Sequence, residues 1–148
     1  TNGYIFGGTI GGTVANDIFE FSFATDTTKT NFGSLSIARG AHNVAGNLSD
    51  AFIVGGGSGG TNLILNIEKI SLSSSNTNSS HGDLASVQNQ VTTASTATHG
   101  LVMSGNDENG VDTVTKQIFA YASDSGASLT APLSITANGS APCQSPAF

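Results

Sequence analysis

The sequence predicts an all-β fold built from three tandem four-stranded units, and three observations carry that prediction. A motif of large apolar residues running into glycine recurs along the chain. An alternating strand follows it at a nearly constant distance each time. No segment shows an apolar stripe at helical spacing, and a chain with 19 glycines among 148 residues is a poor helix former.

The first element is Gly3-Tyr4-Ile5-Phe6-Gly7-Gly8, copied at Ala51-Phe52-Ile53-Val54-Gly55-Gly56 and more loosely at Gly100-Leu101-Val102-Met103-Ser104-Gly105. Its steps are 48 and 49 residues. Three apolar residues in a row read as a strand buried on both faces. The glycines supply positive φ and let another backbone approach where that strand leaves the core. The second element alternates: Ile18-Phe19-Glu20-Phe21-Ser22-Phe23 lies over Ile67-Glu68-Lys69-Ile70-Ser71-Leu72, and Phe21, Ile70 and Phe119 fall 49 residues apart. Polar turns follow at 24–28, 73–77 and 122–126. The third landmark is Leu35, Leu84 and Leu133, and the fourth a small-residue strand in which Ala45, Ala94 and Cys143 are equivalent.

The chain therefore reads as one repeat domain, 1–148, with repeats 1–50, 51–99 and 100–148. Four strands per unit, radially repeated, is the pattern of a β-propeller blade. Three blades are too few to close a ring, and an open array exposes apolar faces and strand edges. The expectation is that partner chains complete the ring, with two copies as the simplest closed solution. The rivals are a fragment of a longer propeller and a trimeric prism of sheets. The small-residue strand is expected to pair with the glycine-motif strand, so that the two ends of the chain complete one blade between them. Thr1 in place of Met fits either a processed N-terminus or a piece of a longer chain.

The wording of the first unit, GYIFGG…NDIFEFSFATDTT…LSIARGAHNVAGN, resembles kelch-like repeats. More narrowly, it resembles a repeat of virion and tail-associated proteins of marine bacteriophages. Gly7-Gly8, Phe21-Ser22-Phe23, Ala24–Thr28, Leu35-Ser36, Ala38-Arg39 and Ala45-Gly46-Asn47 carry the likeness, with Gly55-Gly56 and Ile67–Ile70 in the second unit. The Trp of eukaryotic kelch repeats is missing, since the chain has none. The resemblance implies a structural or receptor-contacting part of a phage particle, located on the virion or outside the cell.

Composition narrows the partners. Charged residues make up 9%, the net charge is -6, and only four are Lys or Arg. No basic patch can be assembled to neutralise phosphates, so nucleic acid and anionic lipid are not expected partners. No apolar run approaches the ~20 residues of a membrane span. A lone cysteine, Cys143, permits no disulfide within the chain.

Tyr4, Tyr121, Cys143, His42, His81 and His99 together match the inventory of a copper radical oxidase. The repeat argues against that chemistry, because Tyr4 aligns with Phe52 and Leu101, Tyr121 with Phe23 and Leu72, and Cys143 with Ala45 and Ala94. These are core positions elsewhere. The histidines share no phase and no zinc-like spacing, and are expected in solvent-facing loops. The acidic stretch Asn106–Asp112 lacks the ligand ladder of a calcium loop and reads as a turn. The glycines at 55–60 precede no Lys-Ser/Thr and no helix, so they are not a phosphate loop. Asn47, Asn78 and Asn138 match the glycosylation acceptor pattern, which so Ser/Thr-rich a chain generates by chance. Arg39, the single arginine, is expected to pair with an acidic neighbour or the next chain.

No catalytic residue, metal ligand or cofactor is assigned, and no binding residue is identified. The expected function is a non-enzymatic structural or adhesion module, assembling as a homo-oligomer or with other virion proteins. Host-surface glycan is a further candidate partner. A lectin-like propeller and a propeller domain of a larger enzyme are the alternatives.

Overall fold

The computed structural model describes residues 2–25, 29–59, 62–75 and 77–134, together with the backbone strand Cys143–Gln144. The described residues are all-β, in three sheets. The first contains β1 (Asn2–Ile10), β2 (Thr13–Ser22) and β3 (Thr30–Ser34), in that order. The second is ordered β4 (Asn43–Gly46), β5 (Asp50–Val54), β6 (Asn66–Ser71) and β7 (Asn78–Asp83). The third places β12 (Cys143–Gln144) beside β8 (Thr92–Ser95), then β9 (His99–Met103), β10 (Lys116–Ala120) and β11 (Ser128–Leu129). All pairings are antiparallel except β12 with β8, which is parallel.

The small-residue strand does pair with the glycine-motif strand. Ala45 lies opposite Phe52, and Ala94 opposite Leu101. The third strand of each unit precedes the leucine landmark. Leu35 and Leu84 follow it as buried plugs, because the chain turns inward as it leaves the outer strand. The two ends do not close a sheet: Cys143–Gln144 lies against β8, and β1 has β2 as its only strand partner among the described residues.

Two apolar layers separate the sheets. Ile18, Phe32, Leu35, Ala51, Ile53 and Ile70, with Tyr4, Phe6 and Leu72 at the edge, fill the space between the first and second sheets. Ala45, Phe52, Val54, Ile67, Leu84, Val91, Val102, Phe119 and Tyr121 fill the space between the second and third. β5 thus sends Ala51 and Ile53 one way and Phe52 and Val54 the other, so the apolar run FIV is buried on both faces as expected. Each such side chain contributes roughly 1.5–3 kcal/mol on burial. The same run in β1 behaves differently: Ile5 is 50% exposed, because no sheet covers that face among the described residues.

The glycine pairs do two jobs. Gly7, Gly8, Gly55, Gly56 and Gly105 all have positive φ. In the second unit the strand ends there. In the first, Gly7-Gly8 forms a bulge, and β1 runs on to a Gly11-Gly12 hairpin turn, both residues at positive φ. The N–H of Gly8 donates to the Arg39 carbonyl at 3.0 Å, and that of Gly56 to the Gln88 carbonyl at 2.9 Å. Gly40 and Gly57 exchange backbone bonds, as do Asn89 and Asn106 one repeat later. Each crossover segment is thereby fixed to the sheet it leaves and the sheet it enters.

Candidate functional site

The buried polar groups sit where one sheet meets the next. Arg39 and Glu68 are 0% and 1% exposed, and their side chains meet at 3.3 Å. Arg39 lies on the crossover before β4, and Glu68 on β6 faces back toward the first sheet. The guanidinium also donates to the Asn66 carbonyl at 3.1 Å, while Glu68 accepts from the Ser36 N–H and from the Asn78 amide at 3.0 Å. Burial pushes the Arg39 pKa down, and the Glu68 charge partly restores it.

One repeat later the same two positions carry Gln88 and Gln117, both fully buried. Gln117 Nε2 donates to Gln88 Oε1 at 2.7 Å, and Gln88 Nε2 donates to the Ser104 carbonyl at 2.7 Å. Gln117 also brackets Ser86, accepting its N–H at 3.1 Å and donating to its carbonyl at 3.0 Å. Arg39 to Glu68 and Gln88 to Gln117 span the same 29 residues of sequence. These are one structural latch in two chemistries.

His81 is a correction to the expectation of solvent-facing histidines, since it is 0% exposed. It lies on β7 with its ring against Phe52 and Phe119, at 4.6 and 5.7 Å between centroids. Its Nε2–H donates to the Ala120 carbonyl at 2.8 Å, and Nδ1 lies 2.6 Å from an Asp124 carboxylate oxygen. The repeat itself carries the signal, because His81 stands one step of 49 from Phe32, a core position. His42 is half-buried rather than free in solvent, and burial, followed by the Arg39 charge, lowers its pKa. His99 is exposed, at the start of β9.

The remaining candidates separate from one another. Tyr121 stacks on Phe52 at 4.5 Å between the second and third sheets, and burial raises its pKa. Tyr4 packs between the first and second, its hydroxyl donating to Glu20 at 2.9 Å. The side chain of Cys143 lies outside the described residues. The two tyrosines therefore belong to different apolar layers. In the acidic loop, Asp107 accepts the N–H groups of Asn109 and Val111 at 2.8 and 2.9 Å, and the Val111 bond chiefly holds its carboxyl below the usual range. That is an Asx-type turn, as expected. Asn47 builds a comparable turn before β5 through the N–H groups of Ser49 and Asp50.

One open feature is not accounted for by these contacts. A groove of about 560 Å³ lies between β1, lined there by Asn2, Gly3, Tyr4 and Phe6, and the strand β4. Its lining joins β1 to β4 and β5, with Phe23 and Leu72 at its side, and among the described residues β1 has no strand where β5 has β4 and β9 has β8.

No protein-family model matches the chain, and no curated protein matches its sequence. Among solved structures, that of YjhT is similar with a TM-score of 0.77 at 14% identity, over 90% of this chain and 49% of that one. The likeness is one of fold, and the chain spans about half the length of the structure it matches.

Proposed function

We infer that the three sheets are kelch-like β-propeller blades, and that the chain is a non-enzymatic module whose ring other copies complete. The observation that carries this reading is the asymmetry of the two flanks. Ile5, Phe21 and Phe23 occupy the positions of Ile53, Ile70 and Leu72 in the second unit and of Val102, Phe119 and Tyr121 in the third. Ile53, Ile70, Val102, Phe119 and Tyr121 are buried, whereas Ile5 is 50% and Phe23 65% exposed. Among the described residues, the face of the first sheet that would receive a preceding blade is left uncovered.

The buried polar residues support a structural role, since Arg39, Glu68, Gln88, Gln117 and His81 are all engaged in contacts between sheets. With the resemblance of the first unit to phage virion repeats, the best-supported reading is a structural or adhesion module of a virion or extracellular appendage. Antibody labelling of native particles tests it directly. Decoration of a tail or fibre is the expected result; a label confined to soluble protein inside cells overturns the placement. A glycan array on the same protein decides whether host-surface sugar is bound.

A further inference from the structure

We propose that the groove beside β1 is filled by β12 of a second copy of this chain, so that each copy donates its last small-residue strand to the other's first sheet. The inference rests on the ring reading above and specifies how the ring is joined.

The strands β4, β8 and β12 form a row. Thr93 Oγ1 donates to the Val44 carbonyl at 2.7 Å, and the Gly46 N–H donates to Ser95 Oγ at 3.0 Å, so β8 lies level with β4 one repeat on. β12 continues the row with Cys143 level with Ala94 and Gln144 with Ser95, again one step of 49. β4 and β8 each also pair with a glycine-motif strand, β5 and β9. Among the described residues, β12 has no such partner, and β1 is a glycine-motif strand without a small-residue partner. One end of the described fold therefore holds a small-residue strand without a glycine-motif partner, and the other a glycine-motif strand without a small-residue partner.

A second copy satisfies both ends at once, and β12 need not leave its place beside β8. Tyr4, Phe6 and Val44 line the groove, and the strands already in the row, NVAG and TTAS, are built mostly of small residues. The pairing register follows from the internal copies. Ala45 faces Phe52 and Ala94 faces Leu101, so Cys143 faces Tyr4 of the second copy. Gly46 faces Ala51 and Ser95 faces Gly100, so Gln144 faces Gly3 of the second copy. Edge pairing also supplies hydrogen-bond partners on the side of β1 that no described strand covers.

Because Cys143 is the one native cysteine, Tyr4→Cys makes the register readable. Opposed residues in an antiparallel pair have Cα atoms about 4.5–5.5 Å apart, inside the disulfide range. Mild oxidation of the full chain is expected to give a reducible dimer, joined between Cys143 of one copy and the introduced cysteine of the other. Ile5→Cys, whose side chain leaves β1 on the opposite face, is expected to cross-link at least tenfold less. In the unmodified chain, light scattering should give twice 14.8 kDa, with hydrogen-exchange protection of Asn2–Phe6 rising with protein concentration. A wild-type dimer without protection of β1 overturns the strand exchange and leaves the ring reading standing. A wild-type monomer overturns both. A disulfide between the introduced cysteine and Cys143 of the same monomer also overturns the exchange, and the wild-type measurements decide the matter if Tyr4→Cys does not fold.

Discussion

The junction between the first and second sheets and the junction between the second and third are built at the same repeat positions from different chemistry. The first latch is an ion pair, Arg39 with Glu68; the second is an amide pair, Gln88 with Gln117. Both bring a crossover side chain to a strand 29 residues on, both are buried, and both bind the backbone N–H of a serine that follows the outer strand. What the two positions share is two long side chains meeting head to head and bonding nearby backbone, although Arg39 Nε has no partner among the described residues. Net charge is not required. The difference lies in what happens when one partner is lost.

Glu68→Ala should have the largest effect. It leaves the Arg39 guanidinium buried without its counter-charge and strips the Ser36 N–H of its acceptor. Breaking a buried pair in this way costs about 3–5 kcal/mol. Gln117→Ala removes the equivalent residue from the amide latch. It leaves Gln88 and Ser86 unsatisfied but no bare charge, so a loss of about 1–3 kcal/mol is expected. Denaturant midpoints of the two variants under one condition measure the gap. Equal losses would show that the ion pair is solvated in a way its burial denies.

How much of this is legible in the sequence depends on where the repeat reaches. The step of 49 locates β4, β5, β6, β8, β9 and β10, because their alternation and glycine motifs are local. It also aligns Arg39 with Gln88 and Glu68 with Gln117. The pairing of one column with the other is not legible, since it crosses between sheets and follows from the twist of the array. His81 reads as solvent-facing because a histidine in a Ser/Asn-rich stretch suggests solvent, although the column it shares with Phe32 is apolar. The open face of β1 is hidden for a different reason. Tyr4-Ile5-Phe6 has the composition of a strand covered on both sides, and only the neighbours decide whether both sides are covered.

The second test converts one junction into the other. Arg39→Gln with Glu68→Gln installs the amide latch at the first junction. Gln88 and Gln117 already span the equivalent distance at 2.7 Å, so the shorter side chains can meet. Buried ion pairs contribute little beyond a well-satisfied neutral replacement, and the double variant is expected within about 1 kcal/mol of the parent. Each single substitution should cost more than the pair, and a double-mutant cycle reads that coupling. A double variant as damaged as Glu68→Ala would mean that charge, rather than hydrogen-bond satisfaction, holds the first junction.

The smallest effect is a pH dependence that only the charged junction carries. His42 packs near Arg39, and its counterpart at the amide junction is the buried Val91. Burial and then the Arg39 charge hold the His42 pKa below its ordinary 6.5. The folded state therefore binds fewer protons than the unfolded chain as pH falls below that value. Stability attached to His42 is fully present above it and is lost as pH falls toward the lowered folded value, by at most about 1.4 kcal/mol per pH unit. Denaturant midpoints at about pH 7.5 and about pH 5 should differ for the parent after the carboxylate contributions common to all variants are matched. His42→Val, which copies the amide junction, should remove that share of the difference. Arg39→Gln with Glu68→Gln should shrink it, since the second cause of the depression is gone while burial remains. If the double variant leaves the His42 share unchanged, burial alone sets the depression, and the two junctions differ in their polar pair but not in the field they impose on their neighbours.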